Sequence, residues 1–242
     1  MNSDGNACLI LRKSGTRMLL SKTLLTSWVA LNAAVIFFCG LAHGEYDIDT
    51  VLGKMETAYD EVKDYQAEVE LKIYDRAGSV KIERFIYTFK KPKWIRLDFL
   101  SPHPGMILVY PDKNGKVLVI PSGLLRMVRF HLALDNSLLR EPSGQRIDQT
   151  DMGLLIKNMR HSLTDRCRGA PSISEDEDAV QIEVLAEDHF REGVETRYRF
   201  LISKKLWLPM EVDESTLVGV LERKISFRNL RVNIGVSDSL FQ

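Results

Sequence analysis

The chain has 242 residues and is electrically balanced, with 33 Lys and Arg against 33 Asp and Glu. If residues 1–44 are set aside as a leader, 29 basic and 32 acidic residues remain, and this net charge of −3 argues against general nucleic-acid binding. Two of the three cysteines lie in that leader, and Cys167 alone cannot form an internal disulfide, so the stability of the remainder must come from its core.

The first 44 residues have the pattern of a secretory signal peptide. Four basic residues precede or enter an apolar run over 19–41, and Ala42-His43-Gly44 places small residues at the two positions that a signal peptidase reads. Met18 would open a leader of more ordinary length, so the true start is predicted there. An uncleaved membrane anchor is the alternative, because the apolar run approaches the length of a spanning helix. Residues 45–242 are expected to form a single domain.

An amphipathic helix opens this domain. Its apolar residues recur at spacings of three and four between Asp47 and Asp64, and Asp47 or Asp49 is placed to cap its first turn. Alternation of apolar and charged residues over 68–73 then predicts a strand with one wet face. A turn at 75–78 leads into the next strand.

The stretch 81–120 contains four consecutive strands and no helical period. Apolar residues alternate with polar ones, and turns at 90–92, 101–105 and 112–115 separate the strands. The Asn-Gly pair in the last turn is a strong hairpin signal, because both residues tolerate positive φ. This pattern predicts an antiparallel meander rich in aromatic residues.

The segment 121–150 is less regular, but nine large apolar residues between 124 and 139 make it too apolar for a solvated linker. Such a segment either packs on the core or covers something. A second amphipathic helix is predicted over 150–163, capped by Thr150 or Asp151. Further strands are predicted over 180–186, 194–202, 208–214 and 219–232.

Nine strands and two helices are therefore expected. Segregated helices and consecutive hairpins indicate an antiparallel α+β fold. Nine strands cannot stay flat, because the twist of a sheet curls it. A strongly curved antiparallel sheet, with helices covering its concave face, buries both sets of apolar surfaces.

The familiar catalytic motifs are missing from the sequence. It contains no Gly-x-Ser-x-Gly elbow, no phosphate-binding loop and no His-Glu-x-x-His zinc helix, and its histidines have no ligand-like spacing. Each histidine after the leader is interpreted as a surface or loop residue, and Cys167 as an incidental thiol. We therefore expect no catalytic residues, no metal and no cofactor. A hydrolase whose active site converges from distant loops stays open as an alternative.

Several short motifs resemble a known family. They are Lys-Lys-Pro-Lys-Trp-Ile-Arg-Leu at 90–97, Asp-x-Asn-Gly at 112–115, and Phe-x-Asn-Leu-x-Val-Asn at 227–233 followed by Phe241, all after an amphipathic helix that leads into paired strands. Over residues 46–242 the chain resembles the LolA-type periplasmic lipoprotein carriers and their relatives, the outer-membrane lipoprotein-sorting proteins.

The resemblance implies an open, unclosed β-barrel with helices as a lid, whose cavity holds the acyl chains of a lipoprotein or another lipid. It implies a periplasmic carrier that moves these chains toward the outer membrane and meets inner- and outer-membrane proteins transiently. Some relatives of these carriers sense envelope stress. The alternative is therefore a signalling or scaffold module that uses the same fold to bind a protein partner. In the carriers a basic residue before the proline of the matching turn holds the lid closed. Here that position is Lys91, where the carriers have arginine, whose planar fork lysine lacks.

Apolarity and alternation select the cavity residues. The aromatic side chains either only pack on the helices or also leave an apolar pocket under a movable cover, the usual site for a lipid-like ligand. The apolar segment and the second helix are the predicted cover. The predicted wall is Phe85, Tyr87, Phe89, Ile95, Leu97 and Phe99, and the predicted cover residues are Leu155 and Met159.

Overall fold

The computed structural model describes residues 46–75, 77–139 and 144–242, which belong to one compact unit, Gly44–Gln242. The predicted signal peptide and the start at Met18 lie outside the described residues. Within these ranges no helix is both long enough and apolar enough to cross a membrane.

The described residues form two α-helices, eleven strands and four short 3₁₀ helices. Helix α1 spans Ile48–Asp60 and helix α2 spans Met152–Thr164. The strands are β1 (Asp64–Tyr74), β2 (Val80–Lys90), β3 (Trp94–Ser101), β4 (Ile107–Tyr110), β5 (Val117–Ile120), β6 (Phe130–Leu132), β7 (Ser172–Glu175), β8 (Ala179–Glu187), β9 (Glu195–Ser203), β10 (Pro209–Ser215) and β11 (Leu221–Val232).

All eleven strands form one antiparallel sheet in the order β6-β5-β4-β3-β2-β1-β11-β10-β9-β8-β7. Two meanders, β1 to β6 and β7 to β11, are joined where the first strand pairs with the last, for example at Leu71 opposite Ile225. Strands β6 and β7 are the two edges and do not pair with each other, so the sheet is open. The predicted fold class, an α+β fold with a strongly curved, unclosed antiparallel sheet and helices on it, is confirmed.

Two strands were missed by the sequence analysis, which expects nine. Strand β6 has three residues and lies in the segment assigned to irregular structure, while β7 has the short sequence Ser-Ile-Ser-Glu. Neither is long enough to show a period of two. Each forms at an edge because one neighbouring strand, β5 or β8, supplies its hydrogen bonds.

Both helices begin at predicted acidic caps. The carboxylate of Asp47 accepts from the N–H of Thr50 at 2.7 Å, and that of Asp151 accepts from the N–H of Leu154 at 3.0 Å. Helix α1 ends at Asp60, earlier than predicted, because the chain enters β1 at Asp64.

The helices bury one face each in the core of the sheet. The most deeply buried apolar side chains of the helices are Val51, Leu52 and Met55 from α1, with Met152, Ile156 and Met159 from α2. Their spacing of three and four is the amphipathic pattern seen in the sequence.

A covered apolar cavity as the candidate functional site

A cavity of about 610 Å³ lies against the sheet, lined by residues of nine of its strands, β1 to β6 and β9 to β11. Since side chains of a strand alternate between its two faces, residues two apart on β1, β2 and β3 share this cavity. Its sheet wall includes Val69, Leu71, Phe85, Tyr87, Leu97, Phe99, Tyr198, Phe200, Val212, Ile225 and Phe227.

The cover of the cavity has two parts. Helix α2 contributes Leu155, Asn158 and Met159 to the lining. The second part is the segment 121–139, here called the apolar segment, which lines the cavity with Pro121, Phe130, Leu132, Leu138 and Leu139. The two parts of the chain predicted to form the cover therefore both contact the cavity.

Six of the eight predicted cavity residues line this space: Phe85, Tyr87, Leu97, Phe99, Leu155 and Met159. The other two, Phe89 and Ile95, do not; they are fully buried, and the ring of Phe89 stacks on Tyr65 with centroids 5.0 Å apart. Both belong to the same buried cluster as the core face of α1. At the end of β2 and β3 that contains Phe89 and Ile95, core side chains fill the space against the sheet. The cavity therefore does not extend to that end.

Lys91 contacts the C-terminal end of helix α1. Its Nζ donates to the backbone carbonyls of Tyr59 at 2.9 Å and Asp60 at 3.1 Å, and lies 4.7 Å from the centre of the Tyr59 ring. These carbonyls end α1, where a cation also complements the helix dipole. Lys91 thus fastens α1, one of the two helices, to the turn after β2. Its predicted role in holding a helical lid closed stays a prediction.

Helix α2 is held in place by several contacts. Its Arg160 pairs with Glu56 of α1 at 2.8 Å, and the N–H of Met152 donates to Tyr65 Oη at 3.1 Å. The arginine keeps the pKa of Glu56 below its usual value. The outer side chains of the apolar segment, by contrast, lie in solvent. Because few packed contacts mean a low cost of local opening, we expect the apolar segment to open more easily than α2.

A buried ion pair interrupts the apolar lining. Arg223 of β11 donates from Nη1 to Glu214 of β10 at 2.7 Å and from Nη2 to the side-chain oxygen of Gln145 at 2.8 Å. Both charged residues are buried, and all three contribute to the cavity lining. This group was not predicted from the sequence, because only the pairing of β10 with β11 brings the two charges together.

A second polar group, Ser162 with His189, was also missed. Ser162 Oγ lies 2.7 Å from His189 Nε2, a spacing suited to a nucleophile and its base. Burial, and then the charge of Arg166, lower the pKa of His189. Ser162 of α2 is fully buried, and of this pair only His189 lines the cavity. The hydroxyl is thus closed off from a bound ligand, and the contact fastens α2 to the loop after β8.

Comparisons with known proteins give structural matches alone. No protein-family model matches the sequence, and no curated protein matches it. An uncharacterised conserved protein from Thermus thermophilus matches with a TM-score of 0.47 and 11% identity, covering 79% of this chain and 90% of that one. A LolA superfamily protein from Nitrosomonas europaea matches with a TM-score of 0.36 and 11% identity, covering 81% and 98%.

The complex of MucA and MucB from Pseudomonas aeruginosa is a third match, with a TM-score of 0.43 and 16% identity, covering 79% of this chain and 59% of that one. A LolA superfamily protein is thus among the matches. With every quoted TM-score below 0.5, these likenesses say nothing about what this chain binds.

Proposed function

We propose that this protein is a periplasmic carrier that holds the acyl chains of a lipid or lipoprotein in its cavity and moves them toward the outer membrane. The observation that supports this is the cavity itself. Its volume, about 610 Å³, is in the range of specific small-molecule sites, roughly 300–1,000 Å³. Apolar side chains form most of its wall on the sheet and all of the part that the segment 121–139 contributes to its cover.

Binding in such a site is driven by removing methylene groups from water. Each buried CH₂ contributes roughly 0.8 kcal/mol, so a single long chain is held firmly and a second adds to it. Phe130, Leu138 and Leu139 of the apolar segment line the same space. These side chains compete with an acyl chain for contact with the sheet wall. The ligand can therefore be displaced by a change of conformation, with no bond broken.

The buried Glu214–Arg223 pair limits what else the ligand carries. The two charges cancel, and Gln145 adds an amide to the group. A bare ionic headgroup brought here would disturb a balanced pair in a poorly solvated site. Donors and acceptors without net charge suit a neutral polar linkage, so we propose that an ester or amide next to the acyl chain lies here.

The proposal includes no catalytic step, no metal and no cofactor: the ligand is held and released unchanged. Among the described residues no cluster of three or more His, Cys, Asp or Glu is placed to hold a metal ion. The proposed partners are the acyl chains and, transiently, proteins of the inner and outer membranes that load and unload the carrier.

Uptake of a fluorescent fatty acid by the purified protein tests the proposal. Leu155 lines the cavity from α2, so Leu155→Asp should weaken probe binding at least tenfold by placing a carboxylate against the acyl chain. Leu217→Asp is the matched control, because Leu217 is exposed in the turn after β10 and does not line the cavity. Lipid that co-purifies with the unaltered protein is detected by native mass spectrometry. Equal affinities for the two variants, or neither bound lipid nor probe uptake, would refute the carrier.

A second candidate function is a module that binds a protein partner. The open edges of the sheet favour it, because β6 and β7 each pair on one side alone. Such edges present backbone donors and acceptors to which an extended peptide adds as a further strand. A protein that takes up no acyl probe but forms a stable complex with an envelope protein would favour this function over the carrier.

A further inference from the structure

The outer face of the apolar segment exposes large side chains to solvent. Leu124 is 100% exposed, Met127 93%, Leu138 83% and Leu125 58%. Three of these four lie on one short 3₁₀ helix, Gly123–Met127, none of whose residues is buried. Contiguous apolar exposure of this kind marks an interaction site in a soluble domain.

The charges around this face are mostly positive. Residues 112–135 contain four basic side chains, Lys113, Lys116, Arg126 and Arg129, against two acidic ones, one at each end. The carboxylate of Asp112 pairs with His131 at 2.6 Å, and Asp135 lies in the apolar segment itself. Neither Arg126 nor Arg129 forms an ion pair with any residue that the structure describes. These two guanidinium groups lie beside the exposed leucines and methionine in the chain, which favours a partner that is both apolar and negatively charged.

The same face borders the cavity. Phe130 and Leu138 are both exposed to solvent and part of the cavity lining. Whatever covers the apolar segment therefore also lies next to the opening through which a ligand would pass. Leu124 and Met127 project from the neighbouring turn, so they reach that partner without filling the cavity, whose lining they do not join.

We infer that the apolar segment docks on an anionic phospholipid bilayer. Leu124, Leu125 and Met127 enter the boundary of the acyl region, and Arg126 and Arg129 contact lipid phosphates. An apolar side flanked by cations is how interfacial segments bind membranes without spanning them. A second copy of the chain would satisfy the leucines but bring the same positive charge. The exchange of acyl chains at the docked opening rests on the proposed function; the docking itself does not.

Site-specific fluorescence in the full chain tests this inference. Cys8, Cys39 and Cys167 are replaced by serine, and an environment-sensitive dye is attached after Met127→Cys or, as the matched control, Val218→Cys. Val218 is also highly exposed, at 86%, but lies in the turn between β10 and β11. Vesicles contain phosphatidylcholine alone or with phosphatidylglycerol. Residues 1–45 could bring the chain to a vesicle by themselves, so the readout is the response at 127 relative to 218.

Docking predicts a blue shift and quenching by doxyl-labelled lipid at 127, strong with phosphatidylglycerol and weak without it, and no response at 218. Changing both Arg126→Gln and Arg129→Gln should weaken binding to the anionic vesicles about 30-fold, since each cation near such a surface contributes about fivefold. Equal responses at the two positions, or none at 127 on vesicle-bound protein, would overturn docking.

Dye emission at position 127 that is already blue-shifted relative to position 218 before vesicles are added would also overturn membrane docking. If dilution of the protein abolishes that shift, a second copy of the chain covers the apolar segment. If the shift persists on dilution, residues of the same chain cover it. Fatty-acid uptake is measured on the same labelled proteins. Uptake without a response at 127 removes docking and leaves the carrier, while a response without uptake removes the carrier and leaves docking.

Discussion

Replacing Gly153 by alanine should destabilise the protein, although alanine is the better helix former. Gly153 is in the first turn of α2, where a Cβ would lie 2.5 Å from Cζ and 2.7 Å from Oη of Tyr59 on α1. Real Cβ atoms do not approach other atoms so closely, so the ring or the helix must shift. Tyr59 is not free to move: its Oη donates to Asp151 at 3.2 Å, and Lys91 lies over its ring.

Two opposing effects set the size of the change. Alanine favours a helix over glycine by up to about 1 kcal/mol. Forcing extra volume into a packed contact costs roughly 1–3 kcal/mol. We expect the steric cost to exceed the propensity gain, with the free energy of unfolding lowered by about 1 kcal/mol.

Urea unfolding followed by circular dichroism, with an unchanged slope, measures this. Gly53→Ala is the matched control: Gly53 is inside α1 and a Cβ there would meet nothing within 4 Å, so it should stabilise the protein by about 1 kcal/mol. In a Tyr59→Leu background, which removes the clashing ring atoms, Gly153→Ala should become neutral or stabilising. A destabilisation of equal size in both backgrounds would show that the reasoning about Tyr59 is wrong.

Three other predictions follow from the site. Lys91→Met should lower the free energy of unfolding by about 1 kcal/mol, measured in urea, and leave fatty-acid affinity unchanged, because Lys91 fastens α1. Phe89→Ala should cost about 4 kcal/mol, yet folded protein should still bind the probe, unlike Leu155→Asp. Burial lowers the pKa of His189 in the folded protein. The free energy of unfolding should therefore fall as pH drops below about 6.5, because His189 binds a proton in the unfolded chain and stays neutral in the folded one. His189→Gln should reduce that fall between about pH 7.5 and 5.5.

Each of these three predictions has a result that would contradict it. Weaker probe binding by Lys91→Met would indicate that Lys91 holds the lid over the ligand. Loss of probe binding by folded Phe89→Ala would indicate that Phe89 contacts the ligand. An unchanged pH profile in His189→Gln would mean that His189 does not titrate differently in the two states.

Local pattern was sufficient for most of the fold. Two candidate caps were recognisable for each helix, Asp47 or Asp49 and Thr150 or Asp151, because short polar side chains before an amphipathic run bond its first turn. The structure selects Asp47 and Asp151. The long strands were recognisable by alternation. Strands β6 and β7 could not be recognised, because three or four residues are too few to show an alternating pattern. Each of these edge strands forms because the neighbouring strand, β5 or β8, supplies its hydrogen bonds.

The sequence by itself determined which side chains face inward on β2 and β3, since alternation assigns every second residue to one face. It did not determine where along that face the cavity ends. Phe85 lines it and Phe89 does not, although both lie on the same face of one strand. That boundary depends on where the buried side chains of the helices fill the sheet, and the Glu214–Arg223 pair likewise depends on the register of β10 against β11. Only the tertiary structure decides these two features, because each depends on which side chains of different elements are packed together in space.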